Sequence, residues 1–345
     1  MVIFHSIFFL LLTSLILASC GGGSGNTPTT PLNGTNSASA NTGVSSTETD
    51  TNPNCKEYQN EETLAEDQTQ TPTNTFRCSM RHDSLDRVFY LYVPTSYAAG
   101  TTQAATLFSL HGYTSNALLH LSYTGFEKIA NEKGFIVVYP QGSILKSTGS
   151  THWNVGGWTN TSTTDDVSFL STIIDYLSTR YSVNLDRIYS TGMSNGGFMS
   201  YHLACNLSSK IAAVASVTGS MTPETYDTCN PVHPTPVLQI HGKLDNTVPY
   251  EGSPGMKPIK EVIAYWSQHN RCNSTPTEKP IIDSDGDGDG GTQSSYSGCL
   301  KNAEVTLKLL DGMGHEWPVS SAHDIDASLT IWNFLSQYDR YGLIE

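Results

Sequence analysis

Gly192-Met193-Ser194-Asn195-Gly196 is the stretch on which the reading of this chain turns. It follows an apolar, strand-like run, Arg187-Ile188-Tyr189-Ser190-Thr191, and precedes a helical one from Phe198 to Cys205. A G-x-S-x-G pattern between a strand and a helix is a nucleophile elbow. The sharp turn lifts the serine hydroxyl above the sheet, and the glycines leave room for neighbouring chain where a side chain would clash. Five small residues of this kind recur by chance. It is the strand before and the helix after that give them meaning.

Outward from the elbow the chain alternates. Thr75 to Met80 and Arg87 to Val93 read as an antiparallel hairpin around His82-Asp83-Ser84. Thr106 to Leu110 is a strand, Gly125 to Lys133 a helix, and Phe135 to Tyr139 a buried strand. Val167 to Tyr181 carries Phe169, Leu170, Ile173, Ile174 and Leu177 at helical spacing, with Asp165 and Asp166 at its start. Strands follow at Ile211 to Val217, Val237 to His241 and Ala303 to Leu310, and helices at Ile259 to His269 and Ala327 to Tyr338. Such alternation implies an α/β fold, a mainly parallel twisted sheet with helices on both faces and an antiparallel N-terminal hairpin. No internal repeat is visible.

A serine nucleophile needs a base, and the base needs orienting. In α/β-hydrolases the partners follow in the order Ser, acid, His, at the carboxyl ends of later strands. Asp245 comes just after the strand ending at His241, and His315 just after the strand ending at Leu310. Ser194 would attack a carbonyl, His315 would carry the proton, and Asp245 would hold the imidazole tautomer. Each of Asp245 and His315 alone reads as a loop residue; the three in order read as a triad. The oxyanion needs backbone N–H donors. Asn195, opening the helix after the nucleophile, is one candidate, and Tyr113 in His111-Gly112-Tyr113-Thr114 is the other, with Gly112 next to it. His111 reads as a packed residue beneath that loop.

The ends and the cysteines bound the rest. Met1 to Ser19 is apolar, too short to span a bilayer comfortably, and ends in small residues, which makes residues 1–19 a signal peptide. Leu17-Ala18-Ser19-Cys20 resembles the bacterial lipobox, so Cys20 is the expected lipidation site, although the leader's start carries no Lys or Arg. Gly21 after it favours an outer-membrane or cell-surface lipoprotein; otherwise the chain is secreted or periplasmic. Residues 20–54 form a Gly/Ser/Thr/Asn-rich tether that cannot bury enough apolar surface to order itself, spanning roughly 30 Å as a coil. Residues 55–345 suit one catalytic domain. Six further cysteines in an exported chain imply disulfides, with fifteen connectivities open. Spacing suggests the local loops Cys55–Cys78, Cys205–Cys229 and Cys272–Cys299. The net charge of −14 argues against a nucleic-acid partner.

Several further stretches extend the elbow: Leu110-His111-Gly112-Tyr113, Tyr139-Pro140-Gln141-Gly142, Trp153-Asn154, Asp165 to Leu170, Ile240-His241-Gly242, Val248-Pro249-Tyr250 and Gly314-His315-Glu316-Trp317-Pro318. Together they make the chain, from about Arg87 to Trp332, resemble the secreted esterases related to polyhydroxybutyrate depolymerases and bacterial feruloyl esterases. That resemblance implies cleavage of carboxylic esters through an acyl-enzyme, with feruloyl or acetyl groups on plant polysaccharides as substrates, or short polyhydroxyalkanoate-type polyesters as the alternative. It also supports the pairings Cys205–Cys229 and Cys272–Cys299, while Cys55 and Cys78 lie outside the matched region. A different class, an inactive hydrolase-fold binding protein on the surface, is countered by the intact triad. A peptidase would share the triad, but nothing here selects peptides. Tyr113, Trp158 and Trp317, on loops near strand ends, are the expected aromatic contacts to the acyl group, with Trp153 structural.

Catalysis of this kind requires no cofactor. One segment nevertheless points to a metal: Asp283-Ser284-Asp285-Gly286-Asp287-Gly288-Asp289-Gly290-Gly291. Asp283, Asp285, Asp287 and Asp289 alternate with small residues as in an EF-hand-like calcium loop, and Gly288 falls at position 6. Position 12 is Ser294 rather than Glu, and no flanking helix pair is evident. Four carboxylates so close repel unless a cation lies among them. The segment leaves two readings, a solvated insertion within the Cys272–Cys299 loop and, set against it, a structural calcium ion held by these aspartates.

Overall fold

The computed structural model describes residues 52–58, 72–97, 100 and 103–345. The leader, Cys20 and the tether up to residue 51 lie outside the described residues. The elements run β1 (Asn54–Glu57), β2 (Thr75–His82), β3 (Leu85–Tyr92), β4 (Ala104–Leu110), α1 (Ala117–Thr124), α2 (Phe126–Lys133), β5 (Ile136–Pro140), β6 (Ser143–Leu145) and β7 (Ser150–His152). Then follow α3 (Asp166–Arg180), β8 (Val183–Met193), α4 (Asn195–Asn206), β9 (Ala213–Val217), α5 (Pro223–Thr228), β10 (Val237–Gly242) and α6 (Ile259–His269). The chain ends with β11 (Thr277–Ile281), β12 (Gly291–Tyr296), β13 (Val305–Leu310), α7 (Ala327–Leu335), β14 (Tyr338–Asp339) and β15 (Gly342–Leu343).

An eleven-stranded sheet has the order β1-β2-β3-β5-β4-β8-β9-β10-β13-β12-β11. From β5 to β13 every neighbouring pair is parallel. The β1-β2-β3 ribbon and the β12-β11 hairpin join antiparallel at the two sides. This is the α/β-hydrolase architecture expected from the alternation. The β2/β3 hairpin turns through Asp83 and Ser84, both at positive φ (49° and 64°), the signature of a two-residue turn that matches strand twist.

The central strands are apolar without interruption because both faces are covered. On one face Phe108 and Leu110 of β4 and Ile136 and Val138 of β5 pack with Phe169, Ile173, Phe198, Val262 and Trp266 from α3, α4 and α6. On the other, Leu107, Val137 and Tyr139 pack with Leu121, Phe126, Ile331 and Trp332 from α1, α2 and α7. Alternation along each strand assigns its side chains to the two cores.

Helix α1 and the β11/β12 hairpin are among the elements that escaped the sequence reading. Helix α1 is short and its apolar pattern weak; it is fixed by Asn116, whose side chain accepts the Leu119 N–H (2.8 Å). The segment around the Asp-Gly run is a hairpin, β11/β12, hydrogen-bonded to β13, rather than a free insertion. Its strand Thr277-Glu278-Lys279-Pro280-Ile281 is exposed and polar, so no hydrophobic alternation announced it. Three disulfides follow the local pairing: Cys55–Cys78 across β1 and β2, Cys205–Cys229 between α4 and α5, and Cys272–Cys299 below the β11/β12 hairpin. No helix among the described residues is long and apolar enough to cross a membrane.

Candidate active site

Strands β8, β9, β10 and β13 lie side by side and parallel, so their carboxyl ends share one edge of the sheet. Ser194 directly follows β8, Asp245 follows β10, and His315 follows β13. Ser194 has φ 53° and ψ −121°, a conformation costly for a non-glycine residue and held by its surroundings. Its N–H donates to the Val217 carbonyl (2.9 Å), which fixes the turn onto β9. A Cβ at Gly192 would come within 2.5–2.6 Å of Gly196 and the Leu110 carbonyl, and one at Gly196 would collide with that same carbonyl. Both glycines are therefore required by close approach of the β4 end to the elbow.

The structure brings Asp245 and His315 together. The His315 Nδ1–H donates to Asp245 Oδ2 at 2.8 Å. Asp245 Oδ1 accepts the N–H groups of Thr247 (2.9 Å) and Val248 (2.8 Å). The carboxylate is fully covered, whereas His315 keeps about a fifth of its side chain in solvent. Burial would raise the Asp245 pKa, but the hydrogen bonds from His315 and the Val248 amide and the nearby imidazoles of His315 and His241 overcome it. The carboxyl is held below its usual range and is ionised at neutral pH. The Ser194 side chain is partly exposed, and its hydroxyl has no hydrogen-bond partner among the described residues.

Beneath the nucleophile lies a connected polar frame. The Asn195 side chain accepts the Trp153 N–H (2.7 Å) and donates to the Trp153 carbonyl (3.1 Å). The Trp153 indole N–H donates to the His111 carbonyl (2.9 Å). His111 donates through Nδ1 to the Gly112 carbonyl (2.7 Å) and accepts the Gly142 N–H at Nε2 (2.9 Å). Burial pushes its pKa down to about 4, so the ring is neutral. The Gly112 carbonyl and the Tyr113 N–H belong to one peptide plane, so the His111 bond sets the direction of the Tyr113 amide. Gly112 itself lies against Ser194: a Cβ there would sit 3.5 Å from the serine Cβ. The frame extends to Asp166, which accepts the Asn154 N–H (2.8 Å) and pairs with buried Arg87 (2.6 Å). The sequence reading left Arg87 and Asn195's side chain without roles, because neither pairing is local in sequence.

Tyr113 and Trp158 meet edge to face with centroids 5.6 Å apart, and Trp158 also meets Phe198, one turn after the nucleophile, at 5.9 Å. The Trp158 indole N–H has no partner among the described residues. Trp317 departs from expectation. It is 7% exposed, packed against His120, Tyr123 and Phe126, and its N–H donates to Ser328 (3.1 Å). Two residues after His315 the chain has already turned into the α1/α7 core, so Trp317 is a core residue and not a wall of the site. A cavity of about 820 Å³ lies beside Arg87, Asn116, Gln141 and Thr151, and no triad residue lines it.

A family model described as phospholipase/carboxylesterase matches residues 97–273. The bifunctional acetylxylan esterase/xylanase of Neocallimastix patriciarum is 29% identical over 260 residues, which is 75% of this chain and 34% of that protein. Feruloyl esterase B of Piromyces equi is 29% identical over 227 residues, 63% of this chain and 40% of that one. The chain thus spans between a third and two fifths of the length of these two relatives. Among solved structures, an acetyl xylan esterase from Aspergillus awamori superposes with a TM-score of 0.52 at 14% identity, covering 72% of this chain and 94% of that one, a likeness of fold. On the match over residues 97–273, the chain belongs to the phospholipase/carboxylesterase family and has the α/β-hydrolase fold.

Proposed function

We propose that the protein is an exported serine carboxylesterase that removes feruloyl or acetyl groups from plant polysaccharide. The observation that carries the catalytic part is the 2.8 Å bond from His315 to a buried, ionised Asp245, on the same sheet edge as a serine in an elbow conformation. The names of the relatives, acetylxylan and feruloyl esterases, support the substrate class. Export rests on the leader at residues 1–19, and membrane attachment on lipidation of Cys20.

In this reading the Ser194 oxygen adds to the ester carbonyl as its proton passes to His315 Nε2. Asp245 holds Nδ1–H and stabilises the imidazolium. The carbonyl oxygen, now anionic, takes hydrogen bonds from the backbone N–H groups of Asn195 and Tyr113. Collapse breaks the bond to the sugar oxygen, which receives the proton from His315 and leaves as the alcohol. Water, deprotonated by the same imidazole, then cleaves the acyl-serine and releases the acid. Tyr113 and Trp158, both partly exposed and in edge-to-face contact, offer an aromatic surface suited to a planar cinnamoyl group.

Methyl ferulate, acetylated xylan and a hydroxybutyrate oligomer, assayed side by side with the wild-type protein and Ser194→Ala, test the proposal. Turnover of either of the first two, lost in the variant with its circular dichroism unchanged, is expected. Turnover of the oligomer alone would move the substrate to polyesters, and activity retained by the variant would remove Ser194 as nucleophile.

A further inference from the structure

We propose that Asp287, Asp289 and Asp324 bind one calcium ion, with Asp283 and Asp285 extending its ligand set, and that this ion buttresses the loop carrying His315. Carboxylate oxygens of Asp287, Asp289 and Asp324 lie within 4.8 Å of one another, as do those of Asp283, Asp285 and Asp287. Asp289 is 6% exposed, and its Oδ1 is buried without a hydrogen-bond partner among the described residues; so is Oδ2 of Asp324. A buried carboxylate oxygen left unpaired beside two other carboxylates is strongly unfavourable unless a cation takes it up. No lysine or arginine pairs with these groups among the described residues; a ring nitrogen of His323 lies against the other oxygen of Asp289.

The donor set selects the ion. It is all oxygen apart from one imidazole already paired, so a hard cation fits and zinc does not. The backbone already has the shape of a wrapped loop: Asp283 accepts the N–H groups of Gly286 (2.7 Å) and Gly288 (3.0 Å), and both glycines have positive φ, 81° and 95°. The alternating run lacks an acidic residue at position 12, where Ser294 belongs to β12. Asp324, from the segment before α7, takes that place, held by the Ser284 N–H (2.8 Å) and hydroxyl (2.7 Å). Sequence spacing could not reveal it, because it lies 40 residues from Ser284.

The site is coupled to the His315 loop by direct contact. The Asp311 N–H donates to the Gly290 carbonyl (2.8 Å), and a Cβ at Gly312 would fall 2.6 Å from Asp289 Cβ. His323 faces Asp289 with one ring nitrogen and Glu316, next to His315, with the other at 3.7 Å. A cation that neutralises the cluster therefore fixes the backbone leading into His315. Only this last effect, on turnover, rests on the function proposed above.

Calorimetric titration of calcium chloride into the chelator-stripped full chain, with melting temperatures recorded alongside, tests the site. One saturable site per chain and a rise of a few degrees at about a hundredfold excess over Kd are expected. Asp324→Asn and Asp287→Asn should lose the heat and the calcium-dependent rise, while melting no lower than wild type in chelator, since each relieves like-charge repulsion. Absence of binding by the wild type at millimolar calcium would overturn the site. So would variants that melt lower in chelator yet keep the calcium response, the behaviour of a purely structural aspartate. Calcium should also restore a several-fold loss of kcat in the stripped enzyme; unchanged kcat would overturn the buttress. Binding by a chain that hydrolyses no ester supports the site and counts against the proposed function alone.

Discussion

Asp245 shows how a single carboxylate is tuned. It sits under full cover, where an unpaired charge would be costly, yet three N–H donors converge on it, from Thr247, Val248 and His315. Replacing it with Asn keeps the volume and one acceptor but removes the charge that stabilises the imidazolium. Asp245→Asn is expected to lower kcat by about 10³–10⁴-fold with little change in KM, measured on a short nitrophenyl ester. A loss confined to KM would mean that Asp245 shapes binding rather than proton transfer. Asp245 and His315 were legible in the sequence because each lies only a few residues past a recognisable strand, and topology does the rest. Trp317 was not: its position next to the histidine says how near it is along the chain, but not that the chain has already entered the core.

The elements are held in place by contacts that join distant segments. Helix α3 is the clearest case. Its first-turn residue Asp166 is buried, pairs with Arg87 of β3, and accepts the Asn154 amide, so one carboxylate ties the N-terminal ribbon to the segment that grips Asn195. Arg87 also lies over the Phe169 ring at 3.9 Å. Asp166→Asn would leave the guanidinium buried without its counter-charge, a loss of about 3–5 kcal/mol. Urea unfolding measures it, and a change below 1 kcal/mol, roughly the worth of an exposed pair, would show the pair to be dispensable. The apolar helices and strands of the central layers were readable from periodicity alone. The β11/β12 hairpin was not, since its strands are polar and exposed and their place comes from pairing with β13.

Across the whole molecule, buried titratable groups set the response to pH. Burial holds His111 and His202 near pKa 4 against an ordinary 6.5. Below pH 6.5 the unfolded chain takes up protons that the folded one refuses, so the stability present above 6.5 is lost as pH falls toward 4. At roughly 1.4 kcal/mol per pH unit this is about 3 kcal/mol for each histidine. Glu127 acts in the opposite sense: burial lifts its pKa to about 7 from an ordinary 4.5, so stability is lost as pH rises between those values. Burial lowers the pKa of His82, His120, His152 and His241 in the same sense as that of His111 and His202. The wild type should therefore weaken from pH 7 to pH 5 with Glu127 offsetting part of the loss, and Glu127→Gln should weaken more steeply while being the more stable of the two at pH 8. Chemical denaturation across that range checks the sign. Parallel curves for the two proteins would mean that Glu127 is not protonated in the fold.

The sheet's outermost strand on the β13 side has a consequence beyond catalysis. An open strand offers its unpaired amides and carbonyls to any other chain, and a protein with eleven strands in one sheet has two such rims. β11 meets this with Glu278, Lys279 and Pro280 in succession, all exposed: two charges that must stay hydrated and a residue with no N–H to give. The polarity that concealed this strand from periodicity is what lets the sheet stop growing, so that neighbouring molecules remain separate rather than joining rim to rim.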